Sequence, residues 1–344
     1  LLKDTGVIFI SIDDNEMAQL KILCDEIFGE ANFVANIIWQ KKFSRQSDAR
    51  FLSSTTEYIL TYAKSIGNFE INLLPRTEKQ DNRYKNVDND PRGPWSPDNM
   101  VVKTYSAKYD YPIKTPTGRV VNPARGFCWR FSKEKFEELV ADNRIWFGAT
   151  GNNIPRLKRF LSEVQQGLVP VTLWDRDFAG DTQEGVREVK EIVTEAKFDN
   201  PKPVKLLLRI LEISTFKESD ATVLDFFAGS GTTAHAVAEI NKQDGGKRRA
   251  ILCTNNENEI AAKICYPRTR RVIKGYKSES GNKIAGLGGN LNYYRTAFVP
   301  AAPTDANKEM LTLRSVEMLC LRENTFEFVR ENAVWKIFKN QARY

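Results

Sequence analysis

Residues 221–240 read ATVLDFFAGSGTTAHAVAEI. The run 221–227 is rich in β-branched and aromatic residues and predicts a strand. Residues 228–231 predict a tight turn of small residues, and 232–242 predict a helix. Strand, glycine turn and helix form a layout that holds a mononucleotide-like ligand. Glycine lets the backbone approach closely, and the first helical N–H groups attract a carboxylate or phosphate. The turn is no phosphate-gripping P-loop, because Gly-Lys-Ser/Thr is absent. It is also not a complete G-x-G-x-x-G fingerprint, since GSGTTA lacks the third glycine. An α/β fold follows from this stretch.

Working outward, GVIFISI (6–12) predicts a buried strand, and Asp13 and Glu16 are spaced as a capping box for a helix ending at Gly29. Capping also accounts for the acid pair Asp13/Asp14 more simply than catalysis. VANIIWQ (34–40) and TEYILTYAKS (56–65) predict two more strands joined by a polar loop. From 66 to 190 Pro, Gly and aromatics interrupt the pattern, and one helix is expected around SKEKFEELVADN. Beyond 190 the α/β rhythm returns: a helix with Pro203 in its first turn, then the glycine-turn unit, then a strand in RRAILCT. A further helix runs through NEIAAKICYPRTRRVIKGY, bent or interrupted by Pro267. NLNYYRTAFV predicts a strand, and the tail from 304 to IFKNQARY reads as helical.

The chain has 344 residues, enough for two or three packed units, and 41% hydrophobic residues supply a core. No apolar run approaches the roughly 20 residues of a membrane span, and LLKDTGVIFI has neither the basic region nor the cleavage site of a signal peptide. The five cysteines are scattered with no Cys-x-x-Cys pair, which predicts reduced, packed thiols in a cytoplasmic protein without a zinc site. A single histidine argues against His-based triads and metal clusters, so no metal is expected. Residues 76–160 carry 17 Lys/Arg against 10 Asp/Glu, an excess of 7 that equals the net charge of +7. One contiguous region therefore holds the whole imbalance and predicts a polyanionic partner. Within it Arg119, Arg125, Arg130, Arg144, Arg156, Lys158 and Arg159 alternate with Tyr111, Phe127, Trp129, Trp146 and Phe147. That mixture suits phosphate and base contacts, although each Trp taken singly reads as core.

A strand ending Asp-Phe-Phe-Ala-Gly-Ser-Gly-Thr-Thr suits S-adenosylmethionine, with the loop around the methionine part and Asp225 accepting from its ammonium. NPKPVKLLLRIL followed by VLDFFAGSGTTAHAV resembles the cofactor half of β-class amino methyltransferases acting on DNA. DPRGPW, CWRFSKEKFEELVADNRIWFG, PRLKRFLSEVQQGLVP, GNLNYYRTAFVP and VEMLCLRENTF, in this order, resemble the modification subunit of type III restriction–modification systems, an adenine-N6 methyltransferase. The resemblance implies a Rossmann-like methyltransferase sheet with an inserted α+β target-recognition domain. It implies the second half of the catalytic sheet at 1–65, target recognition at 66–190, the cofactor half at 191–300 and a helical C-terminal region from 301.

Carried over, the resemblance places Asp225, Phe226, Phe227, Ala228, Gly229, Ser230, Gly231, Thr232 and Thr233 at S-adenosylmethionine, with Asn200, Pro201, Lys202 and Pro203 closing over its methionine end. Asn256 or Glu257, after the next strand, is the expected ribose ligand. Arg119, Arg125, Arg130, Arg156, Lys158 and Arg159 are the expected DNA contacts. Implied partners are double-stranded DNA, a second modification subunit and an ATP-dependent restriction subunit. The family's Asp-Pro-Pro-Tyr type motif, which holds the target amine, is missing, and no Pro-Pro occurs in the chain. The expectation is a fragment cut at both ends, with the motif strand upstream of Leu1 and no catalytic residue of its own. Alternatives are a cytosine-N4 methyltransferase and a non-catalytic DNA-recognition or assembly module with a vestigial cofactor fold.

Overall fold

A computed structural model describes residues 2–45, 47, 49–195, 198–323 and 325–340. The chain divides into two units, Leu1–Asn290 and Leu291–Tyr344.

The first unit opens with β1 (Val7–Ile12), α1 (Met17–Phe28), β2 (Phe33–Gln40) and β3 (Thr56–Ala63). β3 lies between the other two strands and is antiparallel to both. Its uninterrupted run Ile59–Ala63 is buried throughout, as a central strand covered on both faces requires. One face carries Leu60 and Tyr62 against Cys24, Leu20 and Phe28 of α1. The other carries Ile59 against Trp39, Trp174, Leu206 and Ile213. The expected capping box is absent. Glu16 occupies the N-cap position without a side-chain bond, while Asp13 accepts from the backbone and amide nitrogens of Asn15 in a local turn.

The basic region builds a separate small sheet from β4 (Trp95–Asn99), β5 (Ile145–Trp146) and β6 (Arg156–Phe160), with β6 central and antiparallel to both neighbours. A helix, α2 (Lys133–Ala141), is capped by Ser132, whose side chain accepts from the amide of Lys135. Its core holds Met100, Ile113, Trp129, Phe136, Ile145 and Phe147. The chain then returns to the first sheet through β7 (Leu173–Trp174), parallel to β2, giving the order β1-β3-β2-β7.

Next come α3 (Thr182–Ile192), α4 (Val204–Ser214), β8 (Thr222–Asp225), α5 (Thr232–Asp244) and β9 (Arg249–Leu252). Pro203 stands one residue ahead of α4, at its N-cap. α4 has two apolar faces at helical spacing. Leu206 and Ile213 pack on the four-stranded sheet, while Val204 and Leu211 pack on Ala236, Val237 and Ile240 of α5. β8 and β9 pair in parallel as a two-stranded sheet of their own. Among the described residues neither of these strands pairs with the first sheet.

Pro267 interrupts the following helix without ending it. The interruption takes the form of a π-helical turn at Ala261–Cys265 that runs directly into α6 (Tyr266–Lys274), with Pro267 at the junction, where the irregular turn absorbs its missing N–H. β10 (Gly275–Lys277) and β11 (Lys283–Ala285) close the unit as a hairpin.

The second unit departs from its sequence reading. NLNYYRTAFV forms no strand, and the tail holds α7 (Asp305–Glu323) followed by a hairpin of β12 (Glu327–Glu331) and β13 (Lys336–Lys339) rather than continuous helix. Of the cysteines, Cys24, Cys128, Cys265 and Cys320 are packed and free, whereas Cys253 is exposed.

Candidate functional site

The glycine turn lies between β8 and α5. Asp225 shapes it: its carboxylate accepts from the amide of Phe227 at 3.1 Å and from the hydroxyl of Thr233 at 2.6 Å. Gly229 and Gly231 have φ of 50° and 79°. At Gly231 a Cβ would also lie 3.1 Å from Cys265 Sγ and 3.2 Å from Thr269 Oγ1, so both conformation and space call for glycine. No side-chain hydrogen bond caps α5.

The hydroxyls of the turn point into the protein. Ser230, Thr232 and Thr233 are buried. Thr232 Oγ1 donates to the carbonyl of Lys202 at 3.0 Å, tying the turn to the segment before α4. What faces outward is backbone together with Phe226 and Phe227, the latter 86% exposed, whose rings lie 5.2 Å apart. Ala228 is buried beneath them.

The second segment is Asn200, Pro201, Lys202 and Pro203. Asn200 has φ of 54°, and both prolines are buried. Lys202 is held away from the turn: its ammonium pairs with Glu57 of β3 and sits 4.9 Å from the centroid of the Trp39 ring. The second oxygen of Glu57 meets Lys41 at 3.0 Å. Burial pushes the Glu57 carboxyl up, but Lys202 and Lys41 outweigh it and hold the group below its usual range. Gly185 of α3 supports this segment, since a Cβ there would stand 2.4 Å from the carbonyl oxygen of Pro201.

Beneath the turn lies a side chain that sequence reading missed. Arg268 of α6 is fully buried. Its Nη1 donates to Ser230 Oγ at 3.0 Å and Thr232 Oγ1 at 2.9 Å, and its Nη2 lies 3.4 Å from Glu188 Oε2 and from His235 Nδ1. Burial lifts the Glu188 carboxyl to about 7 and lowers the His235 imidazole to about 3. The histidine is thus a neutral packing residue.

After β9, Asn256 adopts φ of 57° and its side-chain oxygen accepts from the amide of Ala262 at 3.1 Å. Glu257 is exposed. Of the two ribose candidates only Glu257 carries a carboxylate, which accepts from the Asn255 side-chain amide at 3.5 Å.

In the basic region Arg119, Arg125, Arg130, Arg156 and Arg159 are exposed. Arg119 donates to the carbonyl of Asn152, and Arg130 and Arg159 both approach Asp98. Arg125 and Arg156 make no hydrogen bond or ion pair among the described residues. Lys158 is a correction. It is 1% exposed and its ammonium lies between Asp88 and Asp90, the latter also bound by Arg92. Phe160 is its neighbour on the buried side of the strand and the Trp95 ring lies 5.5 Å from its ammonium, so the cation points into the core instead of toward phosphate. The rings are likewise structural: Trp129 is buried and donates to the carbonyl of Tyr111, and Trp146 packs on Trp95 at 5.4 Å.

The first unit is thus mixed α/β, with a glycine turn between β8 and α5 and a second small sheet in its basic region. A family model described as DNA methylase matches residues 1–265, and the chain belongs to that family. It is 40% identical over 274 residues to the type III restriction-modification enzyme StyLTI Mod subunit of Salmonella typhimurium, covering 77% of this chain and 40% of that protein. It is 35% identical over 297 residues to the type II methyltransferase M.KpnI of Klebsiella pneumoniae, covering 79% and 68%. With the EcoPI Mod subunit of Escherichia phage P1 the identity is 34% over 305 residues, covering 79% and 46%. The chain thus spans less than half the length of the two Mod subunits. Among solved structures, an M1.HpyAVI–SAM complex aligns with a TM-score of 0.33 and 14% identity, covering 78% of this chain and 77% of that one.

Proposed function

We propose that this chain holds S-adenosylmethionine and reads double-stranded DNA for methylation of adenine N6, as part of a type III restriction–modification modification subunit. The observation that carries the reading is the turn at 225–233, an uncapped helix start beside outward-facing aromatic rings. An uncapped helix N-terminus receives a carboxylate. The exposed faces of Phe226 and Phe227 receive an apolar or aromatic part, and the carboxylate of Asp225 lies at the strand end. These three features match the charge pattern of an amino acid joined to a nucleoside. When bound, S-adenosylmethionine supplies the electrophilic methyl group. Thr232 and Thr233 hold its carboxylate through their backbone amides, the 200–203 segment closes the methionine end through its backbone, and Glu257 accepts from the ribose hydroxyls.

The basic lobe supplies phosphate contacts through Arg119, Arg125, Arg130, Arg156 and Arg159. These orient the duplex and contribute a salt-dependent affinity, while carrying no sequence information themselves. Adenine must leave the stack to reach a methyl donor. No Asp-Pro-Pro-Tyr type motif occurs among the 344 residues, so no side chain here is assigned to the adenine amine. By the same reading the protein works with a second modification subunit and with an ATP-dependent restriction subunit. Mass spectrometry of nucleosides from cells expressing the full-length gene tests the function. N6-methyladenine at one recurring sequence is expected; N4-methylcytosine, or no methylated base, refutes the assignment.

A further inference from the structure

Arg268 is difficult to account for as a stabilising residue. Its guanidinium is fully buried, its Nε has no hydrogen-bond partner, and its carboxylate partner Glu188 is 3.4 Å away. Burying charges costs several kcal/mol per ion, and only close, well-satisfied pairs recover it. A packed methionine would fill the same space at lower cost. What the guanidinium does make is a set of bonds to two specific groups: the hydroxyls of Ser230 and Thr232, at 3.0 and 2.9 Å. Glu188 in turn accepts from the amide of Val204, the first residue of α4, at 3.0 Å. One continuous chain of contacts therefore runs from the glycine turn through Arg268 and Glu188 to the start of the helix that follows residues 200–203.

We propose that Arg268 and Glu188 are positioning residues that fix the glycine turn and the 200–203 segment relative to each other, so that both halves of the methyl-donor site are preset before the ligand arrives. The inference rests on the S-adenosylmethionine reading. Neither residue touches the ligand. Arg268 sets the two hydroxyls, and with them the amides at the start of α5; Glu188 carries that setting to α4. Misplacing such a shell by a fraction of an ångström weakens binding without dismantling the fold.

The pair also has a pH signature. The groups acting on Glu188 are Arg268 from α6, Glu239 from α5, the Val204 amide, Glu184 on its own helix and Tyr276 of β10, while His235 of α5 lies against Arg268. His235 stays neutral and arginine stays charged across the working range. Glu188, lifted to about 7, is then the group that changes state near neutrality. Its ionised form grips Arg268, and its protonated form releases it.

Calorimetry of full-length protein with S-adenosylmethionine, between pH 6 and 8, tests the pair. The wild type should bind roughly 3- to 10-fold more weakly at pH 6 than at pH 8. Glu188→Gln should remain at the weak, low-pH level throughout. Arg268→Met should raise the dissociation constant roughly 10- to 100-fold while the KM for DNA stays unchanged. The Arg268→Met, Glu188→Gln double variant should be no weaker than Arg268→Met alone. A flat wild-type profile, or Arg268→Met binding as tightly as wild type, overturns the positioning role. If Arg268→Met does not fold, the Glu188→Gln profile decides by itself. Failure of the wild type to bind at any pH overturns the methyl-donor reading, and the inference with it.

Discussion

Replacing Lys158 with alanine strips a counter-charge from Asp88 and Asp90, inside the basic lobe. The Lys158 ammonium and the Asp90 carboxylate are fully buried, and Asp88 is largely so. Removing one member of a buried ion cluster costs roughly 3–5 kcal/mol, because the remaining charges stay desolvated. Here part of the compensation survives. Asp90 keeps Arg92 at 2.9 Å, which holds its carboxyl well below the usual range, and Asp88 keeps the indole N–H of Trp95 at 2.8 Å. The lower end, about 3 kcal/mol, is therefore expected. Urea denaturation followed by tryptophan fluorescence measures it, since Trp95 lies 5.5 Å from the lysine. Arg159→Ala, the next residue on the opposite, solvent-exposed face of β6, serves as the control and should stay within about 0.5 kcal/mol of wild type while weakening DNA binding. Wild-type stability for Lys158→Ala combined with a selective loss of DNA affinity would refute the reasoning. It would mean that the lysine faces phosphate after all.

Gly185→Ala pushes a methyl group against the Pro201 carbonyl, 2.4 Å away, and should cost roughly 1–3 kcal/mol while raising the dissociation constant for S-adenosylmethionine; thermal melts and calorimetry read the two effects. Arg125→Ala and Arg156→Ala should leave stability unchanged and reduce the slope of log affinity against log salt by about 1 each, measured by fluorescence anisotropy on duplex DNA. The raised Glu188 carboxyl makes a further demand on stability. The folded state keeps a proton that the unfolded state gives up near its ordinary value of 4.5, so wild-type stability should fall as pH rises from 4.5 through about 7. The change is of order 3 kcal/mol, and Glu188→Gln should remove it from denaturation curves.

The strands at 7–12, 33–40, 56–63 and 222–225 were readable because each is a largely apolar run, and the glycine turn because its composition has few other uses; the short strands of the basic region, such as WSPDN and RLKRF, and the C-terminal hairpin carry no such run. The lysine was not. Lys158 alternates with Arg156 and Phe160 on one face of β6, and only the tertiary fold brings Asp88 and Asp90 to that face. Arg268 lay hidden in the charged run YPRTRRVIK, inside the helix expected through NEIAAKICYPRTRRVIKGY. A signal was nonetheless present: Ile264, Cys265, Arg268, Thr269 and Val272 recur at helical spacing, and all five are buried. An arginine on the apolar stripe of a helix marks a buried partner. The segment NLNYYRTAFV failed differently. Its composition suits a strand, but a strand needs a neighbour, and none pairs with it among the described residues. Asp13 and Glu16 had capping-box spacing, yet Asn15 took the aspartate first.

Titration of the full-length protein with S-adenosylmethionine, comparing wild type with Gly231→Ala, tests the central assignment most directly. The added Cβ would meet Cys265 and Thr269 at a residue with φ of 79°, deforming the turn without touching the DNA lobe. Saturable one-site binding by the wild type, with a marked loss in the variant and unchanged affinity for duplex DNA, is the predicted result. Equal binding by both proteins, or none by the wild type, would contradict it.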